Sequence, residues 1–187
     1  LANGEGFLKE GFIGRSAIGA DYFSSLVSVS FSAFDPFTPP PEQYDAAKGT
    51  CYYYIGLKKV AANGSELKTL GEIHQEYLKS LAFCVSQPGR KRRWLNAIKN
   101  LESDENFADM ELPRLMELIG QDFAAKALDL IVRMSSGHAI VLLTITRLVA
   151  TVEEKTLVVI DEPESHLHPP LLSAFVRALS ELLLDRN

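Results

Sequence analysis

The sequence feature that most constrains the fold is an apolar run, residues 157–160, followed directly by the two acids Asp161 and Glu162. A short apolar run rich in β-branched residues is typical of a strand buried on both faces of a parallel sheet. Ligands of such sheets bind beyond the carboxyl ends of the strands, where the two acids would lie. The run therefore predicts an α/β fold with an acidic site at one edge of its sheet.

Two adjacent carboxylates suit phosphoryl transfer. We expect Asp161 to hold a Mg²⁺ ion through water and Glu162 to orient or deprotonate an attacking water, since the reaction needs both roles side by side. A strand that ends in an acidic turn would explain the same residues. His166 and His168 follow, together with Glu164, so a metal cluster of these side chains with the acidic pair is a further alternative.

A second signal is the segment Ser135, Ser136, Gly137 and His138, in which Ser136 lies 25 residues before Asp161 and which precedes an apolar helix predicted at 139–150. Free backbone N–H groups and serine hydroxyls at the start of a helix suit a bound phosphate. An ordinary helix cap would have the same sequence. By itself this segment predicts a helix start that could hold an anion.

The rest of the chain divides into three parts. In residues 1–65, apolar residues alternate with serines around Val29 and predict a half-buried strand, and a second strand is predicted at 52–55. Ser65 is expected to cap the helix that follows. Residues 66–132 carry apolar residues at helical spacing and predict a lobe of three or four helices. Residues 133–187 are predicted to run helix, strand, helix, and the last helix starts at Pro169, as an N1 proline should.

Composition excludes several classes of protein. Hydrophobic residues make up 47% and charged residues 23% of the 187 positions, as expected for a globular chain, and the net charge of −5 gives no general attraction to nucleic acid. The longest apolar stretch, 139–150, contains Arg147 and falls short of the roughly 20 residues of a membrane span. No signal peptide is visible. Cys51 and Cys84 form no CxxC pair, so neither a zinc site nor a disulfide framework is predicted, and a reducing cytoplasm is expected.

In combination, these motifs resemble the ATP-binding cassette fold of the SMC-like kind, a P-loop NTPase-like mixed sheet with a helical lobe. Residues 135–137 resemble its signature motif, residues 157–162 its Walker B strand and catalytic glutamate, and residues 165–168 its D-loop. The sequence of residues 133–187 is particularly similar to bacterial anti-phage ATPases of the Septu (PtuA) and retron-associated kinds. It is more loosely similar to OLD-family nucleases.

The resemblance implies ATP and Mg²⁺ as cofactors. Glu162 would be the catalytic residue and Asp161 the metal ligand. The residues implied to contact ATP are Ser135, Ser136, Gly137, His138, Ser165, His166 and His168. Two protomers would enclose two ATP molecules, giving a homodimer or higher oligomer that hydrolysis through Glu162 opens.

The function implied is the ATPase subunit of an anti-phage defence complex that controls a nuclease partner, of HNH type in Septu. One alternative is a DNA repair or recombination ATPase of the SMC, RecF or OLD kind. A second alternative is a scaffold that keeps the cassette shape without hydrolysing ATP. The expected location in all three cases is the cytoplasm, without a membrane partner.

The chain also departs from the family pattern. The P-loop motif GxxxxGK[ST] is absent, because Ala20 and Asp21 follow the glycines at Gly14 and Gly19. The switch histidine expected after the last helix is missing as well. We therefore expect a chain that lacks both ends of the ATPase, with its P-loop upstream. Asp35 follows the first strand, where the family has its Q-loop.

One basic run, Arg90-Lys91-Arg92-Arg93, precedes Trp94. Four cations beside an aromatic ring could bind the backbone of DNA or RNA. A solvated helix face or a contact with an acidic protein partner would explain the same run. The sequence leaves both interpretations open.

Overall fold

In the computed structural model, residues 22–34, 37–61 and 64–184 are described with their side chains, and Leu8–Gly11 and Gly14–Ala17 as backbone. The positions of Gly19, Ala20, Asp21 and Asp35, singled out above, lie outside the described residues.

In the described chain six strands come first, five helices follow, and one more strand and one more helix end it. The strands are β1 (Leu8–Gly11), β2 (Gly14–Ala17), β3 (Ser25–Ser30), β4 (Cys51–Gly56), β5 (Lys58–Ala61), β6 (Gly64–Leu67) and β7 (Thr156–Asp161). The helices are α1 (Leu70–Val85), α2 (Pro88–Leu101), α3 (Glu105–Asp109), α4 (Gly120–Arg133), α5 (Ser136–Thr151) and α6 (Pro169–Leu184). Short 3-10 turns lie at Ala46–Lys48, Leu112–Glu117 and Pro163–Ser165.

The central sheet is parallel, with the strand order β4-β3-β7. Ser30 lies opposite Gly56 on one side and Asp161 on the other, so the carboxyl ends of all three strands meet at the same edge. The antiparallel pairs β1-β2 and β5-β6 are separate from this sheet. The predicted α/β class is confirmed. The described three-stranded sheet is parallel rather than mixed, and the antiparallel pairs lie apart from it, as expected for a flanking antiparallel part.

The prediction that β7 is buried on both faces is wrong. Val159 is 40% exposed, and Leu157, Val158 and Ile160 are only half-buried. In the described part of the chain β7 pairs with β3 alone, so it is an edge strand. An apolar run shows that a strand can be buried on both faces. It does not show how many strands or helices cover it in the folded chain.

Helix α5 forms the centre of the core. Its residues 140–146 are all buried, and it packs against α1, α2, α6 and β4. Trp94 of α2 is fully buried and donates its indole N–H to the Thr146 hydroxyl at 3.0 Å, which satisfies two polar groups inside the core. None of the helices in the described segments is long and apolar enough to cross a bilayer.

Helix α1 starts later than the sequence pattern predicts. Ser65 lies in β6, so its expected role as a cap is wrong, and Thr69 caps α1 instead. The Thr69 hydroxyl accepts a hydrogen bond from the Glu72 amide, and the Glu72 carboxylate accepts one from the Thr69 amide. This reciprocal capping box satisfies two amides at once, which explains why Thr69 rather than Ser65 sets the helix start.

Candidate functional site

The start of α5 is open to solvent. Ser135 is the N-cap, with φ −63° and ψ 157°, and its hydroxyl oxygen accepts a hydrogen bond from the His138 amide at 3.4 Å. Ser135 and Ser136 are both exposed. Because the first amides of a helix lack partners within the helix and carry the positive end of its dipole, this start can receive an anion.

Gly137 brings the start of α5 close to the loop and helix that follow β7. A Cβ atom built on Gly137 would lie 3.4 Å from Cδ2 of Leu171 in α6 and 3.8 Å from Cδ2 of Leu167. Both leucines are buried. The start of α5 therefore lies beside segment 165–168 and α6, at distances that a Cβ atom would meet as ordinary contacts.

His138 is the buried member of the helix start, with 6% of its surface exposed. Its Nδ1 lies 2.6 Å from the Ser135 hydroxyl oxygen, and its Nε2 lies 3.0 Å from Oδ1 of Asp104. A carboxylate only accepts hydrogen bonds, so Nε2 carries the proton, and in neutral His138 Nδ1 accepts from Ser135. The three side chains form a continuous hydrogen-bonded chain from the surface into the core.

Sequence reasoning missed Asp104, which precedes His138 by 34 positions. Its Oδ1 also accepts from the amides of Asn106 and Phe107, so Asp104 is the N-cap of α3. An aspartate before a short helix is a recognisable cap signal in a sequence. No local pattern, however, could indicate its second partner in α5.

The Asp104 side chain is ionised for a clear physical reason. Burial by itself would raise the pKa of this carboxyl, but the hydrogen bonds from His138 and from the amides of Phe107 and Asn106 outweigh that effect and lower the pKa. Asp104 as a whole is 4% exposed. A negative charge is thus held beneath the start of α5 by donors from two helices.

The acidic pair lies at the carboxyl edge of the sheet. Asp161 ends β7 beside Ser30 of β3, and Glu162 follows with φ 37°, in the left-handed region that a non-glycine residue adopts at some cost. Both acids are exposed. Carboxylate oxygens that face solvent fit Mg²⁺, which binds through one or two carboxylates and keeps several waters or phosphate oxygens.

The loop after the acidic pair is a tight turn. The Ser165 amide donates to the Glu162 carbonyl, and the His166 amide donates to the Pro163 carbonyl. Ser165 and His166 point their side chains to solvent, whereas Leu167 is buried. The loop is therefore anchored by one leucine while its polar side chains remain free to meet a ligand.

His168 lies between this loop and α6. Its Nδ1 receives a 3.4 Å contact from the Leu171 amide, and its ring centroid lies 5.7 Å from that of His138. Among the described residues the potential metal ligands that converge are Asp104, His138 and His168. The alternative cluster of His166 and His168 with Glu164 and the acidic pair does not form there.

The four cations of the basic run do not share one exposed face. Arg93 is buried, with Nη1 3.4 Å from the Val152 carbonyl oxygen. Arg90 forms a 2.6 Å ion pair with Glu153, and its guanidinium lies 4.4 Å from the ring centroid of Phe83. Arg92 is exposed and Lys91 half-buried. The structure thus uses two of these side chains internally.

Comparison with known proteins finds a family model similar to the C-terminal part of the chain. A profile of the family described as "AAA domain, putative AbiEii toxin, Type IV TA system" matches residues 116–185, which include α5, β7 and α6. Together with the parallel sheet and its flanking helices, this match supports a P-loop ATPase family. Such families generally hydrolyse nucleotide and use ATP and Mg²⁺.

A longer relative covers nearly the whole chain. Protein ea59 of Escherichia phage lambda is 53% identical over 190 aligned positions, which cover 92% of this chain. They cover 36% of that protein, so the chain spans about a third of the length of the curated relative that it matches. No solved structure matches the chain significantly.

Proposed function

We propose that this chain supplies one half of an ATP-hydrolysing site in which two protomers enclose the nucleotide. Ser136 and Gly137 would contact the γ-phosphate held by the P-loop of a partner protomer, and Asp161 and Glu162 would serve the nucleotide on their own protomer. The chain carries no P-loop motif. The proposal therefore concerns the full-length protein, and its tests use that protein.

One observation carries the proposal: both halves of the predicted chemistry are exposed in the same region of the molecule. Leu167 is buried, and its Cδ2 lies 3.8 Å from where a Cβ atom on Gly137 would be, so the loop after Glu162 comes close to the start of α5. Ser135, Ser136, Asp161 and Glu162 are nevertheless all exposed. Had the serines been buried, they could not reach a neighbouring protomer.

The chemical roles follow from these positions. Asp161 offers a carboxylate oxygen to Mg²⁺, which supplies charge neutralisation to the phosphates when bound. Glu162 lies one residue beyond the sheet edge, where it can orient a water molecule and accept its proton. The amides and hydroxyls at the start of α5 stabilise phosphate charge. Ser165, His166 and His168 lie on the loop between these groups.

We propose that the chain belongs to the ATPase subunit of a bacterial anti-phage defence complex. In this complex the ATP-driven dimer would control an associated nuclease. The resemblance of residues 133–187 to anti-phage ATPases supports this role. The comparisons name a phage protein and a family described by a putative toxin of a type IV toxin–antitoxin system, and neither name states a defence role. Co-purification of the full-length protein with a nuclease from its own genomic neighbourhood would test it.

The central experiment replaces Glu162 by glutamine in the full-length protein. We expect the variant to bind ATP, to lose hydrolysis by about 10²-fold or more, because general base catalysis is worth roughly that much, and to accumulate as an ATP-bound dimer. Glu164→Gln is the matched control, since Glu164 is also exposed and lies two residues away on the same turn. Hydrolysis by Glu162→Gln at the native rate would overturn the proposal.

A second experiment tests the composite site. Ser136→Glu places a carboxylate where the partner's γ-phosphate would bind, so we expect ATP-dependent dimerisation to be lost while each protomer still binds ATP. Ser173→Glu changes another exposed helical serine, in α6, and should leave dimerisation intact. Equal dimerisation by both variants would contradict the sandwich and favour a non-hydrolysing scaffold or a single-protomer site.

Nucleic acid is a further proposed partner, through the exposed side of α2. Lys91 and Arg92 are the cations of the basic run that face solvent most. We expect Lys91→Gln with Arg92→Gln to weaken DNA binding and to reduce the slope of log affinity against log salt by about 2. Binding that is unchanged by this pair would favour the solvated-face interpretation.

A further inference from the structure

We propose that Asp104, His138 and His168 form a binding site for a divalent transition-metal ion, Zn²⁺ by preference. The site is distinct from the Mg²⁺ position at Asp161. It joins the starts of three helices: Asp104 caps α3, His138 lies in the first turn of α5, and His168 directly precedes α6.

The geometry is close to that of a bound ion. One potential ligand atom from each of the three residues lies within 4.8 Å of the other two. A tetrahedral Zn²⁺ ion with bonds of about 2.0–2.1 Å holds its ligand atoms roughly 3.3 Å apart. The Nε2 of His138 and Oδ1 of Asp104 are already 3.0 Å apart, so side-chain movements of about an ångström would complete the site.

The donor set selects the class of metal. Two imidazoles and one carboxylate suit Zn²⁺ and related transition metals, whereas Mg²⁺ and Ca²⁺ prefer sites built from oxygen alone. Three protein ligands leave a fourth position for water or another ligand. The cluster therefore differs in chemistry from the exposed carboxylates of Asp161 and Glu162, and the two sites need not compete for the same ion.

The surroundings of two ligands support the site further. A histidine that binds a metal usually donates its other ring N–H to a fixed partner, and the Ser135 hydroxyl oxygen lies 2.6 Å from Nδ1 of His138. Oδ1 of Asp104 is held by two backbone amides of α3. These two amides keep the carboxylate in place when the His138 N–H no longer donates to it.

The third ligand is the adaptable one. His168 is exposed, and its 3.4 Å contact with the Leu171 amide is long, so turning the ring toward an ion costs little. On binding, the ion would take the Nε2 position of His138, and the ring would change tautomer: the Nε2 proton is given up and Nδ1 takes up one proton, so no net proton is released. Ser135 would then accept from Nδ1–H, so that its hydroxyl hydrogen could point outward.

The test compares two histidines of the same loop in the metal-free protein, without nucleotide. Calorimetric titration with Zn²⁺, and Co²⁺ as a spectroscopic probe, should give one site with a tetrahedral visible absorption band. We expect His168→Ala to weaken Zn²⁺ binding at least 10-fold, while His166→Ala, which changes an exposed side chain outside the cluster, should bind like the native protein. Because His168 is exposed, its variant should fold.

A second variant separates the site from general surface binding. Ser135→Ala removes the partner of Nδ1 and should weaken Zn²⁺ binding by about 10–100-fold without removing a ligand. Absence of a saturable site in the native protein, or equal binding by His168→Ala and His166→Ala, would overturn the proposal. Since no nucleotide is used, this outcome is independent of whether the chain acts in ATP hydrolysis.

Discussion

Oδ1 of Asp104 accepts a hydrogen bond from Nε2 of His138 at 3.0 Å, across 34 positions of the sequence. Both side chains are buried, with 3% and 8% of their surfaces exposed. The pair connects α3 to the first turn of α5. The other nitrogen of the His138 ring contacts the Ser135 hydroxyl. The orientation of this hydroxyl therefore depends on Asp104, which holds the ring.

Removing Asp104 should destabilise the fold. Asp104→Ala deletes the cap of α3, worth about 1 kcal/mol, and leaves the buried N–H of His138 without an acceptor, which costs about 1–3 kcal/mol. We expect the free energy of unfolding in urea to fall by about 2–4 kcal/mol. Asp109→Ala, at an exposed position in the same helix, should change it little. A loss as small as that of Asp109→Ala would show that Asp104 is not buried in this pair.

The same carboxyl should make stability depend on pH. Because its pKa is lowered in the folded state, the folded chain binds this proton less tightly than the unfolded chain does. Its stabilisation is thus complete above the unfolded value of about 3.9 and is lost as the pH falls through the lower folded value. The difference in unfolding free energy between native protein and Asp104→Asn should shrink from about pH 6 to about pH 3. A constant difference would contradict the assignment.

Gly56 should tolerate no side chain. A Cβ atom there would lie 2.7 Å from the Ser30 carbonyl oxygen and would overlap the Tyr54 ring, so backbone at the sheet edge would have to move. We expect Gly56→Ala to lower the free energy of unfolding by about 1–3 kcal/mol, as measured in urea. Gly89→Ala, in the first turn of α2 with no atom within 4 Å of its Cβ, should be neutral or slightly stabilising.

Arg147 should act as a charged anchor in the largely buried α5. Its Nη2 donates to Glu42 at 2.7 Å and to the Tyr54 carbonyl oxygen at 3.2 Å, and its Nε lies 3.2 Å from Glu76. Arg147→Met would leave two partly buried carboxylates without this cation, so we expect a loss of about 1–3 kcal/mol in urea unfolding. Arg133→Met breaks an exposed pair and should cost less than about 0.5 kcal/mol. Equal losses would refute the anchor.

The sequence patterns predicted elements that have a strong local signal. The apolar alternation around Val29 and the apolar run after Thr156 both became strands, and Pro169 starts α6 as expected. Each of these elements is determined by residues close together in the chain, through periodicity or a fixed backbone angle. For the same reason, the expected site residues could be assigned from the sequence to a strand end, a helix start and the loop between them.

Features that depend on distant residues could not be predicted. Whether β7 is buried depends on the number of strands beside it, and the 157–160 run looks the same in either case. The partner of His138 comes from a helix that is remote in sequence. The choice of Thr69 over Ser65 as a cap required knowing that β6 continues to Leu67. Local chemistry fixes what a residue can do, and packing decides with which neighbour.

The Asp104–His138 pair also has a consequence for protein engineering. Chimaeras that exchange the segment around α3 between homologous proteins would bring a new residue beneath an unchanged imidazole, or the reverse. Crossover points chosen by sequence blocks would separate these two positions even though they behave as one unit. A recombinant that inherits both from the same parent should fold more often than one that inherits them from different parents.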